Sequence, residues 1–270
     1  METIAAFDYL IYFFEHIDVL MLVFIRSLGF FMALPIISGQ GTLMQGRIFL
    51  ALCMAAALFV SGQVTTVYLL DTTPGYVYLV LLEFLVGMTM GYVVLAVFSL
   101  LFFSGQLMDF KVGFMMVNVI DPMTQVQVPL TGNLFYMGAM AMLVVTGGLH
   151  AFIMTFFYSY QILPIGTAVV IGNQQLAWYI VMLLVESTIL AVRLAMPIVA
   201  SMFIITVALG IMVKTIPQLN VFVVGIPLRL LVGLIILWLV MIPNMGAIFG
   251  HVFDIAIIAI REVIWGMQAT

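Results

Sequence analysis

Long, nearly uninterrupted runs of apolar residues alternate with short polar stretches along this 270-residue chain. An α-helix needs roughly 20 apolar residues to cross a membrane, so runs of that length are candidate spans. The pattern predicts about six hydrophobic helices, at positions 19–37, 43–60, 76–103, 134–163, 178–213 and 228–253. The expected fold class is therefore all-α, a polytopic membrane-associated protein.

Two of these runs are longer than one straight crossing requires. The run at 134–163 contains Gly147 and Gly148, and the run at 178–213 contains Pro197. Strong tilt, a break in the helix or a position partly outside the bilayer would each account for the extra length. All three alternatives remain open at this stage.

The two ends of the chain differ from the runs between them. Positions 1–18 interleave aromatic residues with acids, which favours an amphipathic helix at the membrane interface or against a partner. Positions 254–270 are amphipathic too, so we expect this tail to lie along a surface. We treat 1–270 as a single domain, because no internal repeat or low-complexity linker divides it. Two glycine pairs, Gly87–Gly91 and Gly246–Gly250, predict close helix packing.

The one long interval of mixed polarity inside the apolar chain lies at positions 104–129. Its glycines and prolines predict a turn or re-entrant loop, and its methionines can fill an irregular opening and repack. Irregular backbone at membrane depth is tolerated only inside protein or beside water. The loop is therefore either a solvated connection or a deformable plug over a pathway. The candidate plug or gate residues are Gly105, Met108, Asp109, Lys111, Gly113, Phe114, Met115, Met116, Asp121 and Pro122.

A second polar interval, at 214–229, carries a positive residue at each end. The positive-inside rule places this loop in the cytoplasm, and alternation then places the Arg47 side and the Lys111 loop there too. The candidate residues of this cytoplasmic-side loop are Lys214, Pro217, Gln218, Asn220, Phe222, Gly225, Pro227 and Arg229.

Composition excludes several classes of protein. Hydrophobic residues make up 66% of the chain and charged residues only 7%, which no soluble domain shows. A net charge of −4 excludes a basic surface for nucleic acid. The single cysteine, Cys53, excludes an intrachain disulfide and a thiolate metal cluster. The histidines lie far apart and no motif of a metalloprotease, serine hydrolase or nucleotide-binding enzyme occurs, so we predict no enzyme, cofactor or metal.

Charges inside the apolar runs need an explanation: Arg26, Arg47, Glu83, Glu186 and Arg193. Each costs a few kcal/mol at a helix centre unless it is paired or faces water. Glu186 and Arg193 are seven residues apart, on one helical face but too distant for a direct bond. Two interpretations remain, a proton or substrate pathway and pairing with partner chains. We favour pairing, because a proton-driven pump usually shows more than two intramembrane carboxylates.

Several short motifs follow one another in a fixed order. They are E-x-x-x-G-x-x-x-G at 83–91, GQLMD at 105–109, GF at 113–114, DP at 121–122, LPIG at 163–166, LG at 209–210 and PQLNVFVVGIP at 217–227. Together they resemble the FliR family of flagellar export-gate proteins, whose counterparts are the SctT-type subunits of virulence type III secretion systems. The similarity runs from about position 26 to 253, and the PQLNVF form resembles the flagellar members more.

The resemblance implies a core subunit of the flagellar type III export apparatus, in the bacterial inner membrane within the flagellar basal body. It implies a complex with FliP-type and FliQ-type subunits, contacts to FlhB-type and FlhA-type proteins and to membrane lipid, and transient binding of unfolded protein substrates. Its helices would form paired hairpins in a helical pore complex raised partly out of the bilayer. The segment at 105–122 would plug the pore, and the loop at 214–229 would lie at the cytoplasmic entrance.

The expected function is thus a passive, gated conduit for unfolded export substrates that also helps to nucleate flagellum assembly. The alternative is a small-molecule or ion-coupled secondary transporter, which the charges Glu83, Glu186 and Arg193 would serve. The missing inverted repeat disfavours it. An intramembrane enzyme would need a nucleophile or metal constellation that the chain does not show.

Overall fold

The computed structural model describes residues 17–35, 43–62, 64, 72–114, 129–170, 172–216 and 221–268, and of residues 221 and 222 only the backbone. Within these ranges the regular secondary structure is helical, with one isolated antiparallel bridge between Ala168 and Gln268. The all-α prediction is confirmed for this part of the chain.

The helices follow the predicted apolar runs. They are α1 (Ile17–Ala33), α2 (Met44–Ser61), α3 (Thr73–Val112), α4 (Leu130–Val145), α5 (Gly148–Ile162), α6 (Gln174–Thr215), α7 (Val221–Ile236) and α8 (Ile242–Gly266). A π-helical turn, Leu237–Met241, joins α7 to α8, so that the two form one long continuous helix.

Four of these helices are long and apolar enough to cross a membrane: α2, α3, α6 and the continuous helix α7–α8. The count rises to five if α4 and α5 together form one bent span. With 40 and 42 residues, α3 and α6 are each about 60 Å long at 1.5 Å per residue. The hydrocarbon core of a bilayer is only about 30 Å thick. Both helices must therefore tilt strongly or extend beyond the membrane.

The run at 134–163 is broken and the run at 178–213 is not. A two-residue turn at Thr146 and Gly147 bends the chain between α4 and α5. Gly147 lies at the bend with a φ of 73°, a left-handed conformation that suits a residue without a Cβ. By contrast, Pro197 lies inside α6 without ending that helix.

The predicted loop at 104–129 begins later than expected. Because α3 continues to Val112, residues 104–112 are helical rather than irregular. The prediction treated Gly105 as a helix breaker, whereas in the structure it is a buried packing position. Tertiary contacts therefore override the low helix propensity of glycine here.

The predicted boundaries near the C-terminus are also wrong. Since α6 ends at Thr215 and α7 begins at Val221, most of the predicted loop at 214–229 is helical. Residues 254–266 continue α8 rather than forming a separate surface tail. Neighbouring apolar residues extend each helix through the isolated polar positions that suggested a boundary.

The chain divides into two compact units. Unit 1 consists of Met1–Leu95, Leu149–Met182 and Ala256–Thr270. In its core, the fully buried rings of Phe30 and Phe156 stack at a centroid distance of 4.8 Å. Unit 2 consists of Ala96–Gly148 and Leu183–Ile255, and there the rings of Phe98 and Phe253 stack at 5.7 Å.

Glycines bring α1 and α3 into backbone contact in unit 1. A Cβ on Gly87 would overlap the carbonyl oxygen of Arg26, and a Cβ on Gly91 would overlap that of Phe30. From the opposite side, a Cβ on Gly29 would meet the backbone of α3. The packing prediction for Gly87–Gly91 is confirmed. For the second pair it is wrong within the described chain, because a Cβ on Gly250 would meet open space.

We expect Gly87→Ala to destabilise the protein, because the added methyl group has no room between two backbones. Overpacking of this kind typically costs about 1–3 kcal/mol. The matched control is Gly46→Ala in α2, where the new Cβ has nothing within 4 Å and the helix gains up to about 1 kcal/mol. Thermal unfolding in mild detergent compares the two variants. An unchanged or raised Tm for Gly87→Ala would contradict the close approach.

Candidate functional site

The base of the predicted plug segment is formed by the end of α3 and the start of α4, both in unit 2. Asp109 lies in the last turn of α3 and is almost completely buried. Its Oδ2 accepts a hydrogen bond from the backbone N–H of Thr131 at 3.0 Å, and its Oδ1 accepts one from the Thr131 hydroxyl. Both hydrogen bonds join the residues on either side of the segment 113–129.

Asp109 serves as a cap for a helix to which it does not belong. The first four N–H groups of any helix lack partners within that helix, and negative charge is favoured at this end. The residue at the N-cap of α4 is Pro129, whose side chain makes no capping hydrogen bond. The carboxylate of Asp109 supplies the missing acceptor from α3.

One turn before Asp109, the two helices touch through glycines. A Cβ on Gly105 would overlap the backbone of Gly132, and a Cβ on Gly132 would approach the carbonyl oxygen of Phe102. The base of the segment is therefore held by two kinds of contact, a buried carboxylate and a glycine–glycine approach. Neither Thr131 nor Gly132 was among the predicted site residues, although a proline at the start of a helix signals that a capping acceptor must come from elsewhere.

A cavity of about 710 Å³ adjoins this base in unit 2. Its lining includes Phe110, Lys111 and Gly113 at the end of α3, Met196, Met202 and Phe203 on α6, and Arg229 on α7. Most of the lining residues are apolar, and they include the flexible side chains of Met196 and Met202. Two cationic side chains, Lys111 and Arg229, also line the cavity. The cavity thus brings together Lys111 from the predicted plug and Arg229 from the predicted cytoplasmic-side loop.

Neither cation of the cavity is neutralised by an ion pair within the described part of the chain. Lys111 lies with its Nζ 5.7 Å from the centroid of the Phe110 ring. The Nε of Arg229 is buried without a hydrogen-bond partner among the described residues. Like charges around a partly apolar cavity repel each other and attract acceptors, such as carboxylates or backbone carbonyls. The cavity therefore offers flexible apolar contacts from its methionines and hydrogen-bond donors from its cations.

A buried ion pair organises unit 1. Arg26 of α1 and Glu83 of α3 are both inaccessible to solvent, with Nε and Oε2 2.5 Å apart. Arg26 also donates from Nη1 to the carbonyl oxygen of Leu163 at 3.0 Å, and Glu83 Oε1 accepts from the N–H of Gly166 at 3.0 Å. The guanidinium lies 4.3 Å from the ring centroid of Tyr160. Through this ion pair and its hydrogen bonds, the E-x-x-x-G-x-x-x-G motif at 83–91 and the LPIG motif at 163–166 are in contact with each other.

The other two predicted buried charges are not buried within this chain. Glu186 and Arg193 are exposed on α6 in unit 2, whereas Glu83 belongs to unit 1. Neither side chain is buried by its own chain, and the favoured interpretation, pairing with partner chains, stays a prediction. The sequence could not reveal this, because hydropathy does not distinguish a helix face buried inside the chain from one left free for another surface.

The remaining predicted residues are placed as follows. Met108 is buried, and Lys214 and Pro227 are exposed. Gly225 is buried in α7, and Phe114 is half-buried after the end of α3. Met115, Met116, Asp121, Pro122, Pro217, Gln218 and Asn220, and the side chain of Phe222, lie outside the described residues. Among the described residues no cluster of three or more His, Cys, Asp or Glu could hold a metal ion.

The chain matches known export proteins over most of its length. The family model "Bacterial export proteins, family 1" matches residues 17–256. The flagellar biosynthetic protein FliR of Bacillus subtilis is 31% identical over 90% of this chain and 93% of its own length. FliR of Aquifex aeolicus is 28% identical over 83% of this chain and 86% of its own length. The secretion system apparatus protein SsaT of Salmonella typhimurium is 25% identical over 83% of this chain and 86% of its own length.

We expect Glu83→Gln to destabilise the chain strongly, because it leaves the Arg26 cation buried without a countercharge. Removing one partner of a buried ion pair typically costs roughly 3–5 kcal/mol. Glu186→Gln is the matched control, since Glu186 is an exposed glutamate of another apolar helix. Thermal unfolding of the isolated chain should show a clear loss for the first variant and little change for the second. Equal, small effects would show that Arg26 does not depend on Glu83.

Proposed function

Because this chain belongs to the bacterial export proteins of family 1, the family that includes FliR, we propose that it forms part of a gated conduit for unfolded proteins. It is a component of the type III export apparatus in the inner membrane, and not an enzyme. The finer proposal concerns the residues that control passage. Its main support is the closed base that Asp109 and Thr131 form where the polypeptide leaves α3 and enters α4.

A plug must stay attached at a firm base while its middle is displaced by a substrate. The buried Asp109 carboxylate and the Gly105–Gly132 contact supply such a base, because both resist separation of the two helix ends. We propose that residues 113–129 form the plug, with candidate gate residues at Gly113, Phe114, Met115, Met116, Asp121 and Pro122. The neighbouring cavity would then receive the unfolded chain, with soft contacts from Met196 and Met202 and polar contacts from Lys111 and Arg229.

The proposed partners are FliP-type and FliQ-type subunits in one complex, with FlhB-type and FlhA-type proteins in contact. Support comes from the large share of apolar surface that the chain leaves free. Of the most apolar stretch of α3, 61% is buried, but only 17% of that of α6 and 11% of that of α7–α8. Helices that are apolar yet unburied need lipid or other subunits to cover them. The proposed cytoplasmic-entrance residues are Lys214, Pro217, Gln218, Asn220, Phe222, Gly225, Pro227 and Arg229.

The transporter alternative gains no support from the side chains. Both carboxylate oxygens of Glu83 already accept hydrogen bonds, from Arg26 and from Gly166. Glu186 and Arg193 are exposed on α6. A coupled transporter would require ionisable groups gathered at one internal site.

Membership of a complex is tested by native mass spectrometry of the chain, expressed with and without the products of neighbouring genes. We expect a discrete assembly with several small hydrophobic subunits when the neighbours are present. A chain that remains a monomer or homodimer under both conditions would contradict the proposal.

The plug is tested by permeability of cells that contain the assembled complex. Deletion of residues 111–119 should make the membrane leaky to small solutes, and Asp109→Ala should cause a weaker leak because it loosens the base. The control is Asp254→Ala, which removes an exposed carboxylate from α8. Uptake of a small fluorescent solute measures the leak. Unchanged permeability for both plug variants, with the complex intact, would contradict a plug at this position.

A further inference from the structure

The cavity of unit 2 combines two cations with apolar walls. Its volume of about 710 Å³ lies within the range of roughly 300–1,000 Å³ that is typical of pockets for small molecules. Lys111 and Arg229 line it together with methionine, phenylalanine and valine side chains, and none of the described lining residues is acidic. A cavity of this composition suits a ligand that is anionic at one end and apolar at the other.

Close packing between α3 and α7 brings the two cations to one place. Gly233 of α7 lies against the side chain of Val112, because a Cβ on Gly233 would overlap that side chain. Arg229 is one turn before Gly233 and therefore lies on the same face of α7. Lys111 directly precedes Val112 at the end of α3. The helix contact thus fixes where Lys111 and Arg229 meet.

Neither cation is compensated by an acid of the described chain. No salt bridge among the described residues involves Lys111 or Arg229. Asp109 is close to Lys111 in sequence, but its carboxylate is bonded to Thr131 at the start of α4. The Nε of Arg229 is buried without a hydrogen-bond partner in the described part of the chain. Since a buried N–H without an acceptor is costly, an anion that supplies acceptor oxygens stabilises this site.

A phosphate group matches these donors. Its oxygens can accept from two cations at once, and a planar guanidinium binds phosphate through two parallel N–H···O bonds. The predicted orientation places Lys111 and Arg229 on the cytoplasmic side of the membrane. On that side anionic lipids attract basic residues, and basic pockets between membrane helices bind lipid headgroups.

The apolar walls indicate that the phosphate belongs to a lipid. Met196, Met202 and Phe203 of α6 line the cavity together with the cations. Phe203 is 68% exposed, and Val207, one turn further along the same face of α6, is 47% exposed. The apolar surface therefore continues beyond the cavity, where an acyl chain can cover it and a free phosphate ion cannot.

We propose that this cavity binds an anionic phospholipid. Its phosphate lies between Lys111 and Arg229, and one acyl chain lies against Met196 and Phe203. The lipid occupies the cavity while no export substrate is present, and in this respect the inference rests on the proposed function, which assigns the same cavity to the unfolded chain.

Native mass spectrometry of the purified chain, in mild detergent and without substrate, tests the site. Phosphatidylglycerol should bind about tenfold more tightly than phosphatidylcholine with the same acyl chains, because only the first headgroup carries a net negative charge. Arg229→Gln and Lys111→Gln should each weaken phosphatidylglycerol binding by about tenfold, as expected for one lost hydrogen bond to a charged group. The matched control is Arg261→Gln, which removes an exposed cation of α8 and should leave the affinity unchanged. Equal affinities for the two lipids, or wild-type affinity of both cavity variants, would overturn the proposal.

A variant that fills the cavity separates a lipid site from general attraction of headgroups to cations. Ala200 is exposed and lines the cavity, so Ala200→Phe obstructs the apolar wall and leaves every charge in place. It should lower the affinity for phosphatidylglycerol by about tenfold. Ala57→Phe, at an exposed position of α2, should not. Thermal unfolding checks that both variants fold.

Two further outcomes would count against a lipid. Wild-type affinity of Ala200→Phe would overturn the proposal, and so would displacement of phosphatidylglycerol by inorganic phosphate, which would show a site for free anions. Lipid binding is measured on the isolated chain. Its failure is therefore distinguishable from failure of the chain to enter a complex, which would contradict the proposed function.

Discussion

The ion pair between Arg26 and Glu83 is the interaction on which unit 1 depends. Removing two charges from water is expensive, and their attraction compensates only when the geometry is close and the remaining polar atoms are bonded. Here the Nε–Oε2 distance is 2.5 Å, the carbonyl oxygen of Leu163 and the N–H of Gly166 each bond one further atom of the pair, and Nη2 of Arg26 has no hydrogen-bond partner among the described residues. The pair therefore fixes the relative positions of α1, α3 and the turn after α5 together.

The glycines of α3 make that geometry possible. Because Gly87 and Gly91 have no Cβ, the backbone of α1 lies against α3 and places Arg26 beside Glu83. The backbone contact between α1 and α3 and the ion pair between Arg26 and Glu83 thus depend on each other. In unit 2 a buried carboxylate again meets backbone across a glycine contact, with Asp109 capping α4 next to Gly105 and Gly132. In both units, a close contact between two helix backbones at glycine residues positions one buried carboxylate.

Much of the fold could be predicted from the apolar pattern, since runs of hydrophobic residues translate directly into helices. The pattern failed where a polar residue was taken for a boundary. Asp109 and Lys111 looked like loop residues, yet Asp109 is buried because its carboxylate meets the N-terminus of another helix. Such a partner is more than 20 residues away in sequence and cannot be inferred from local composition. For the site, the Met-rich interval indicated where to look, but Thr131, Gly132 and the α6 wall of the cavity became visible only in three dimensions.

Charges in apolar helices have two different roles here: some pair inside the chain, and others are left unpaired. Hydropathy alone does not distinguish the two. Glu83 is paired inside the chain, and among the four candidate membrane spans its helix has the largest buried share. Glu186, Arg193, Lys111 and Arg229 lie in unit 2 without ion pairs among the described residues, on or beside helices whose apolar surface is largely free. The internal ion pair stabilises the subunit itself, whereas the unpaired charges and free apolar faces are available for contacts with other polypeptides.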